Sequence, residues 1–589
     1  MVALCLALVV GFANDSKQCD VVVVCPEVCD EVITPWIRHR ESQGHRLCLL
    51  RPTDRETLKK TLAQLATEGN LKHVVIIGDA PDRNAKPGQP LGPMEVPTCY
   101  VKAEVNVKFG SEPQIASDAP YSDIDKDGRP DLTIGRIAVD SPEEVATVLQ
   151  KVIRYESPEA TSSWRRKINL IAGVGGFGSL ADSVLEMSTK KFIVEGIPPA
   201  YEASMTYGSW QSPYCPSPPE FRKETLARLN DGCLFWVYIG HGMPGYVAPV
   251  RTPKRAYPVL DIYDMEKLDA KAGSPIAIFL ACYTAAFDFN QEGDCLAEKM
   301  IVQPKGPVAV LGASRVSMPY AMAVLSNEML KEYFGRQHET LGEMVRSAKR
   351  GTLDSKNVTD DKNRVLLDTL AATLSPTKSL LDRERLENLA LFNLIGDPLL
   401  RLRHPNKLNL ETDRVVQSGT TLRVSGEASS EGRLLIELAY RRDRTLKKYD
   451  QRSEYTGTPE QLDEYRHTYM AANQRQVVAG EYEVQKGPFV VELQIPDWAM
   501  GAAYVRGFLD TPQGLALGGH EIKIRSRLPP SSHRSRRPRN RCQTNPSQRD
   551  GLRKCLPSTS LVSFFGLFPS SGKAGHTVCM ISALSVSDF

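Results

Sequence analysis

From about residue 20 to residue 400, short apolar runs alternate with longer stretches whose apolar residues recur every three or four positions. Val21–Val24, Val74–Ile77, Ile168–Ile171, Leu234–Ile239, Ile276–Leu280 and Val308–Leu311 read as strands buried on both faces. Between them, Ser141–Tyr155, Leu180–Glu195, Phe221–Asn230 and Leu325–Phe334 read as helices. This alternation predicts an α/β fold with parallel sheets covered by helices. The Ser/Pro-rich stretch Glu156–Ser163 divides it into an N-terminal α/β lobe, 14–160, and a second lobe, 161–404.

The texture changes after Asn406. Leu408–Leu410, Thr421–Val424, Arg433–Leu438, Phe489–Leu493 and Ala503–Leu509 are short alternating segments with turn residues between them, which predicts an all-β sandwich over 405–527. The highly charged stretch Tyr440–Gln476 reads as a solvated excursion from that sandwich. From 528 to 589 the chain is basic and Ser-rich without periodicity, the composition of a disordered tail.

Charge sharpens this division. The 589 residues carry 73 Lys plus Arg against 70 Asp plus Glu. From Leu528 onward there are nine basic and two acidic side chains, which leaves a mildly acidic body. The near-neutral total therefore gives no reason to expect nucleic-acid binding. Hydrophobic residues at 41% and charged residues at 24% exclude a disordered, collagen-like or polytopic membrane protein. The apolar run Met1–Ala13, too short to span a bilayer, reads as a signal peptide over 1–13, implying a secreted or extracytoplasmic protein. No other stretch has the length of a membrane helix, so no integral membrane association is expected; oligomeric state is not legible. The thirteen Cys residues form neither a C-x-x-C pair nor a zinc pattern, and most read as small buried apolar residues.

Two strand ends carry the candidate chemistry. Leu234–Ile239 runs into Gly240-His241-Gly242, and Ile276–Leu280 runs into Ala281-Cys282. Ligands in open α/β sheets bind beyond the carboxyl ends of strands. That position here offers a thiol nucleophile and an imidazole base, with the N–H groups of Gly242 and Cys282 as candidate oxyanion donors. Packed residues at two strand ends are the plain alternative.

The wording of these segments resembles the gingipain-type cysteine peptidases. The resemblance rests on Tyr238-Ile-Gly-His241-Gly, Phe279-Leu-Ala-Cys282-Tyr-Thr-Ala-Ala-Phe-Asp288, Cys295-Leu-Ala-Glu-Lys-Met300, Gly306-Pro-Val-Ala-Val-Leu-Gly-Ala-Ser314 and Asn393-Leu-Ile-Gly-Asp-Pro-Leu-Leu400. It covers about residues 20 to 404 and implies a caspase-like two-lobed domain, with Cys282 as nucleophile and His241 as general base. It also implies that the following sandwich is immunoglobulin-like, that Asp182 receives a basic P1 side chain, and that Gly175 and Gly176 line the substrate site. Such an enzyme would act on protein or peptide substrates. The sequence departs from the family at Val174: there the best-known gingipains carry a Glu that can orient the catalytic His. That departure keeps open a catalytically inactive binding or scaffold protein of the same fold.

Gly173-Val-Gly175-Gly-Phe-Gly178 also matches a dinucleotide fingerprint, but no acidic residue ends a second strand about twenty residues on. A nucleotide-dependent enzyme is thus the weaker reading, and no organic cofactor is expected. Asp123-Ile-Asp125-Lys-Asp127-Gly-Arg129-Pro-Asp131 places carboxylates at alternate positions around a glycine turn, a pattern suited to structural Ca²⁺. The EF-hand's twelfth position is Ile134, so the loop would be completed by Asp131 and other oxygens. The sequence lacks H-E-x-x-H, G-x-S-x-G and Walker A motifs.

Overall fold

The computed structural model describes residues 18–527 apart from 87, 158–162, 175–195, 290–292, 355–359 and 376–377. The expected signal peptide, the helix at 180–195 and the basic tail lie outside the described residues.

A ten-stranded sheet organises the chain up to residue 404. Its spatial order is Leu47–Leu50, Val21–Val24, His73–Ile77, Thr133–Ile137, Phe392–Ile395, Ala309–Ala313, Ile276–Leu280, Phe235–Ile239, Lys167–Ala172 and Glu202–Tyr207. The central strands are almost wholly apolar because helices cover both faces: Val21–Val24, His73–Ile77 and Ile276–Leu280 are buried at every position. The first five strands run parallel to one another, as do the last five. The two halves meet in one antiparallel seam, where Phe392–Ile395 pairs with Ala309–Ala313. The fold is therefore α/β, with a largely parallel sheet under helices.

Polar groups tie the Phe392–Ile395 strand and the turn after it into the first half-sheet. Asn393 accepts from the Asp118 amide at 3.1 Å and donates to the carbonyl of Leu391 at 3.1 Å. Two residues past this strand, Asp397 is fully buried and accepts from Trp36 Nε1 at 2.6 Å and from Arg40 Nη2 at 2.7 Å. Arg40 also reaches Glu156 at 2.9 Å, so one buried guanidinium joins two carboxylates from distant parts of the chain. The Gly396-Asp397-Pro398 segment thus lies near the end of the second lobe in sequence but is anchored among residues of the first.

Residues 406–525 form two further sheets. One contains Gly432–Tyr440, Gln476–Val484, Gly501–Thr511 and Gly514–Arg525, and the other contains Leu410–Glu411, Thr421–Ala428 and Gly487–Gln494. Alternate residues of both sheets, such as Leu422, Val424, Leu434, Ile436, Val491 and Val505, meet in one core, as a sandwich requires.

The charged excursion differs from its expected solvated state. Pro459–Asn473 is a helix, capped by Thr458 and started by a proline, and Tyr465 and Tyr469 are buried. Tyr469 shares a hydrogen bond with Thr206 at 2.7 Å, and Tyr465 donates to the Trp210 carbonyl at 2.7 Å. The polar residues that made this segment look solvated lie on the other side of the helix, where Glu460, Asp463, Glu464 and Arg466 are exposed or half-exposed. Tyr465 of this helix and the outer-face residues Phe508, Leu515 and Leu517 of the sandwich join the α/β core. The sandwich keeps its own core between its sheets, and residues up to Ser526 form a single compact unit.

Candidate active site

The parallel strands Phe235–Ile239 and Ile276–Leu280 are neighbours, with Ile239 opposite Leu280. His241 and Cys282 each follow their strand's last paired position by two residues, so the two strand ends present them side by side. His241 is exposed and Cys282 half-buried. Gly240 continues the pairing by donating to the Leu280 carbonyl at 3.2 Å. Tyr238, buried beneath the site, donates its hydroxyl to the His241 carbonyl at 3.0 Å and so fixes the backbone that carries the imidazole.

Gly242 is required by close approach. A Cβ at this position would lie 2.6 Å from the Cys282 carbonyl oxygen and 2.8 Å from Thr284 Cγ2. Gly242 faces Val247 in a short bridge closed by Ala248 N–H to the His241 carbonyl and Met243 N–H to the Tyr246 carbonyl. That bridge does not use the Gly242 amide.

Accessibility separates Cys282 from the other thiols. Among the described residues seven cysteines lie outside any disulfide, and six of them, Cys25, Cys29, Cys99, Cys215, Cys233 and Cys295, are buried. Burial pushes Cys99, Cys215 and Cys233 up to about 12 and Cys295 well above its ordinary value, so these thiols stay protonated and inert. Cys19 and Cys48 form a disulfide that the spacing of the cysteines did not reveal.

Two features around the sulfur escaped the sequence reading. The Ser317 amide donates to Cys282 Sγ at 3.3 Å, with the Ser317 hydroxyl 3.8 Å from the same atom. The thiol in turn reaches the Ser317 carbonyl at 3.7 Å, so the Ser317 backbone fixes where the sulfur sits. Tyr283, the next residue, adopts a left-handed backbone with φ 58°, costly for a non-glycine residue. It is held by its amide, which donates to the Arg315 carbonyl at 3.2 Å, and by its hydroxyl, which donates to Glu112 at 2.8 Å. Arg315 is itself fixed by a bidentate pair with buried Asp288, at 2.8 and 2.6 Å. Neither Ser317 nor Glu112 lies in a motif that marks it from sequence alone.

Gly175, Gly176 and Asp182 lie outside the described residues. Val174 is described and largely exposed. Its neighbour Gly173 extends the edge beside the histidine strand by donating to the Ile239 carbonyl at 2.8 Å.

In the aspartate loop, Asp123, Asp125 and Asp127 each place an oxygen within 4.8 Å of the others. Asp123 Oδ1 is buried with no hydrogen-bond partner, as befits an oxygen built to face a cation. Burial raises the Asp123 pKa, and the nearby carboxylates add to that shift. Asp131 sits differently: it accepts from the Ile124 amide at 2.9 Å and pairs with Arg350 at 3.2 Å. The Arg129 side chain pairs with Asp354 at 2.8 Å, so only its carbonyl could serve a cation.

An accessible thiol and an imidazole on adjacent strand ends, with a glycine amide beside them, are the layout of a thiol hydrolase. The model of peptidase family C25 matches residues 14–403, and the chain belongs to this cysteine peptidase family. Lys-gingipain of Porphyromonas gingivalis is 28% identical over 207 residues, which span 35% of this chain and 11% of that protein. Lys-gingipain 381 of the same organism matches with the same figures. The chain thus spans only a small part of the length of these curated relatives. Among solved structures, the Arg-specific cysteine proteinase gingipain R aligns at 15% identity with a TM-score of 0.47, covering 87% of this chain and 98% of that one.

Proposed function

We propose that the protein is a cysteine endopeptidase in which Cys282 attacks the scissile carbonyl and His241 manages the protons. The accessible thiol carries this reading: Cys282 differs from the six buried thiols and shares its strand edge with His241 and Gly242. His241 would take the thiol proton as sulfur bonds to the carbonyl carbon, and the oxyanion would rest on the amides of Gly242 and Cys282. His241 would then protonate the leaving amine, and water would hydrolyse the thioacyl-enzyme to return the thiolate. The Ser317 amide, 3.3 Å from Sγ, would hold the sulfur in place between these steps.

Gly175, Gly176 and Asp182 remain the proposed substrate contacts, with Asp182 selecting a basic P1 side chain as the family resemblance implies. Asp123, Asp125 and Asp127, with the Arg129 carbonyl and Asp131 alongside, would hold a structural Ca²⁺ that ties the turn together. Protein or peptide substrates outside the cytoplasm are proposed from the family. Among the described residues no helix is long and apolar enough to cross a membrane.

The test is cleavage of a peptide library by the wild-type chain and by Cys282→Ala. Cleavage should vanish in the variant, and undiminished cleavage would overturn the reading. Exposed Val174 favours one second reading, a binding protein of this fold without turnover. An active-site alkylating probe separates the two, since selective labelling at Cys282 accompanies only the enzyme.

A further inference from the structure

A second constellation lies far from the catalytic residues. Asp20 precedes the strand Val21–Val24, His45 precedes Leu47–Leu50, and His73 begins the strand between Val21–Val24 and Thr133–Ile137. Strand register brings the three together, because Val21 pairs with both Leu47 and His73. Each offers one ligand atom within 4.8 Å of the others. We propose that Asp20, His45 and His73 form a zinc site that staples the amino ends of three strands in the first half-sheet.

The donor set fits the ion. Two imidazole nitrogens and one carboxylate oxygen make a three-ligand set that Zn²⁺ completes with water. Asp20 and His45 are half-buried, which leaves the water a way in, whereas His73 is buried and fixed. Thr133 Oγ1 engages His73 Nδ1 at 2.8 Å, leaving Nε2 as its coordinating nitrogen. Such an outer partner sets the orientation of a metal-bound imidazole. Asp20 is oriented as well: one oxygen accepts from the Arg46 amide at 2.7 Å, and the other meets His45 Nδ1 at 2.8 Å. Ligands of a tetrahedral zinc stand about 3.3 Å apart, so the cluster needs only side-chain rotations at its two solvent-facing members.

The disulfide supplies a separate argument. Cys19 adjoins Asp20, and Cys48 lies three residues after His45. The cross-link therefore ties together the two segments that bring the half-buried ligands, lowering the ordering cost of closing on a metal. Five strand positions separate Val21–Val24 from Ile276–Leu280, about 24 Å at the usual strand spacing. The site's role is thus structural and independent of Cys282.

Zinc binding to the EDTA-dialysed full chain tests this. The carrier is Cys282→Ser combined with His241→Ala, in Ca²⁺-containing buffer, so that neither the catalytic pair nor the aspartate loop takes the ion. One equivalent of Zn²⁺ should bind, and Asp20→Asn or His45→Gln should each weaken binding at least tenfold while circular dichroism stays unchanged. Co²⁺ in the same carrier should give a visible spectrum without a thiolate charge-transfer band, lost in both variants. Absence of zinc binding by the carrier, or equal binding by His45→Gln, would overturn the proposal.

Discussion

The Tyr283 hydroxyl donates to Glu112 at 2.8 Å, across 171 residues of sequence, and so helps hold the residue after Cys282 in its left-handed backbone. That conformation costs roughly 1–3 kcal/mol, and this hydrogen bond, together with the Tyr283 amide on the Arg315 carbonyl, opposes its relaxation.

Replacing Tyr283 with Phe should therefore let the Cys282 loop relax without unfolding the protein. We expect alkylation of Cys282 and peptide cleavage to slow about tenfold, with Glu112→Gln showing a smaller loss of the same kind, as one hydrogen bond of about 1.4 kcal/mol would give. Unchanged rates in both variants would remove Glu112 and Tyr283 from the positioning of the nucleophile.

Gly242→Ala places a methyl group 2.6 Å from the Cys282 carbonyl. The strand ends must move apart, and the amide beside the sulfur moves with them. A loss of about 10²-fold in kcat, with KM little changed, is the expected signature of a displaced oxyanion donor. A change confined to KM would count against that role.

Asp397→Ala removes a buried carboxylate that serves Trp36 and Arg40. It leaves the Arg40 guanidinium facing Glu156 alone, and breaking a buried pair costs about 3–5 kcal/mol. Urea unfolding monitored by tryptophan fluorescence measures this, and a loss below about 1 kcal/mol would show that this buried cluster tolerates the gap.

Glu298 is buried, accepts from the Cys295 amide at 2.8 Å and faces Asp79; burial pushes its carboxyl up to about 7. The folded state thus keeps a proton that the unfolded chain releases near 4.5, and Glu298 costs the fold stability as pH rises from about 4.5 to 7. The Glu298→Gln variant should gain on the wild type across that window, by up to about 3 kcal/mol, and the difference should level off above it. Parallel urea curves at pH 5 and pH 8 provide the check; a difference independent of pH would show that Glu298 is ionised in the fold.

The buried strands were legible because their positions are apolar on both faces: Val21–Val24 and Ile276–Leu280 have the bounds that hydrophobicity gives them. The edge strand Glu202–Tyr207 was not, since Glu-Ala-Ser-Met-Thr-Tyr has neither an apolar run nor a strong alternation. Phe392–Ile395 was visible as a motif, but its pairing with Thr133–Ile137 depends on contacts more than 250 residues apart. In the site, Cys282 and His241 stood out because strand ends and flanking glycines have a local signature. Ser317 and Glu112 act through one backbone amide and one carboxylate brought in by tertiary structure, which no spacing encodes. The helix Pro459–Asn473 was masked by its composition, because two buried tyrosines among charged residues make a weak apolar stripe.

That helix changes what a domain boundary means in this chain. A polypeptide ending near residue 404 would retain every proposed catalytic residue, yet Thr206, Glu224 and Arg228 would lose the Tyr469 hydroxyl and the Trp210 carbonyl would lose Tyr465. The edge strand Glu202–Tyr207 would lose the Asn473 side chain that caps Met205 and part of its packing. The sandwich is thus a late-synthesised wall of the α/β region itself, added by about 120 further residues of chain.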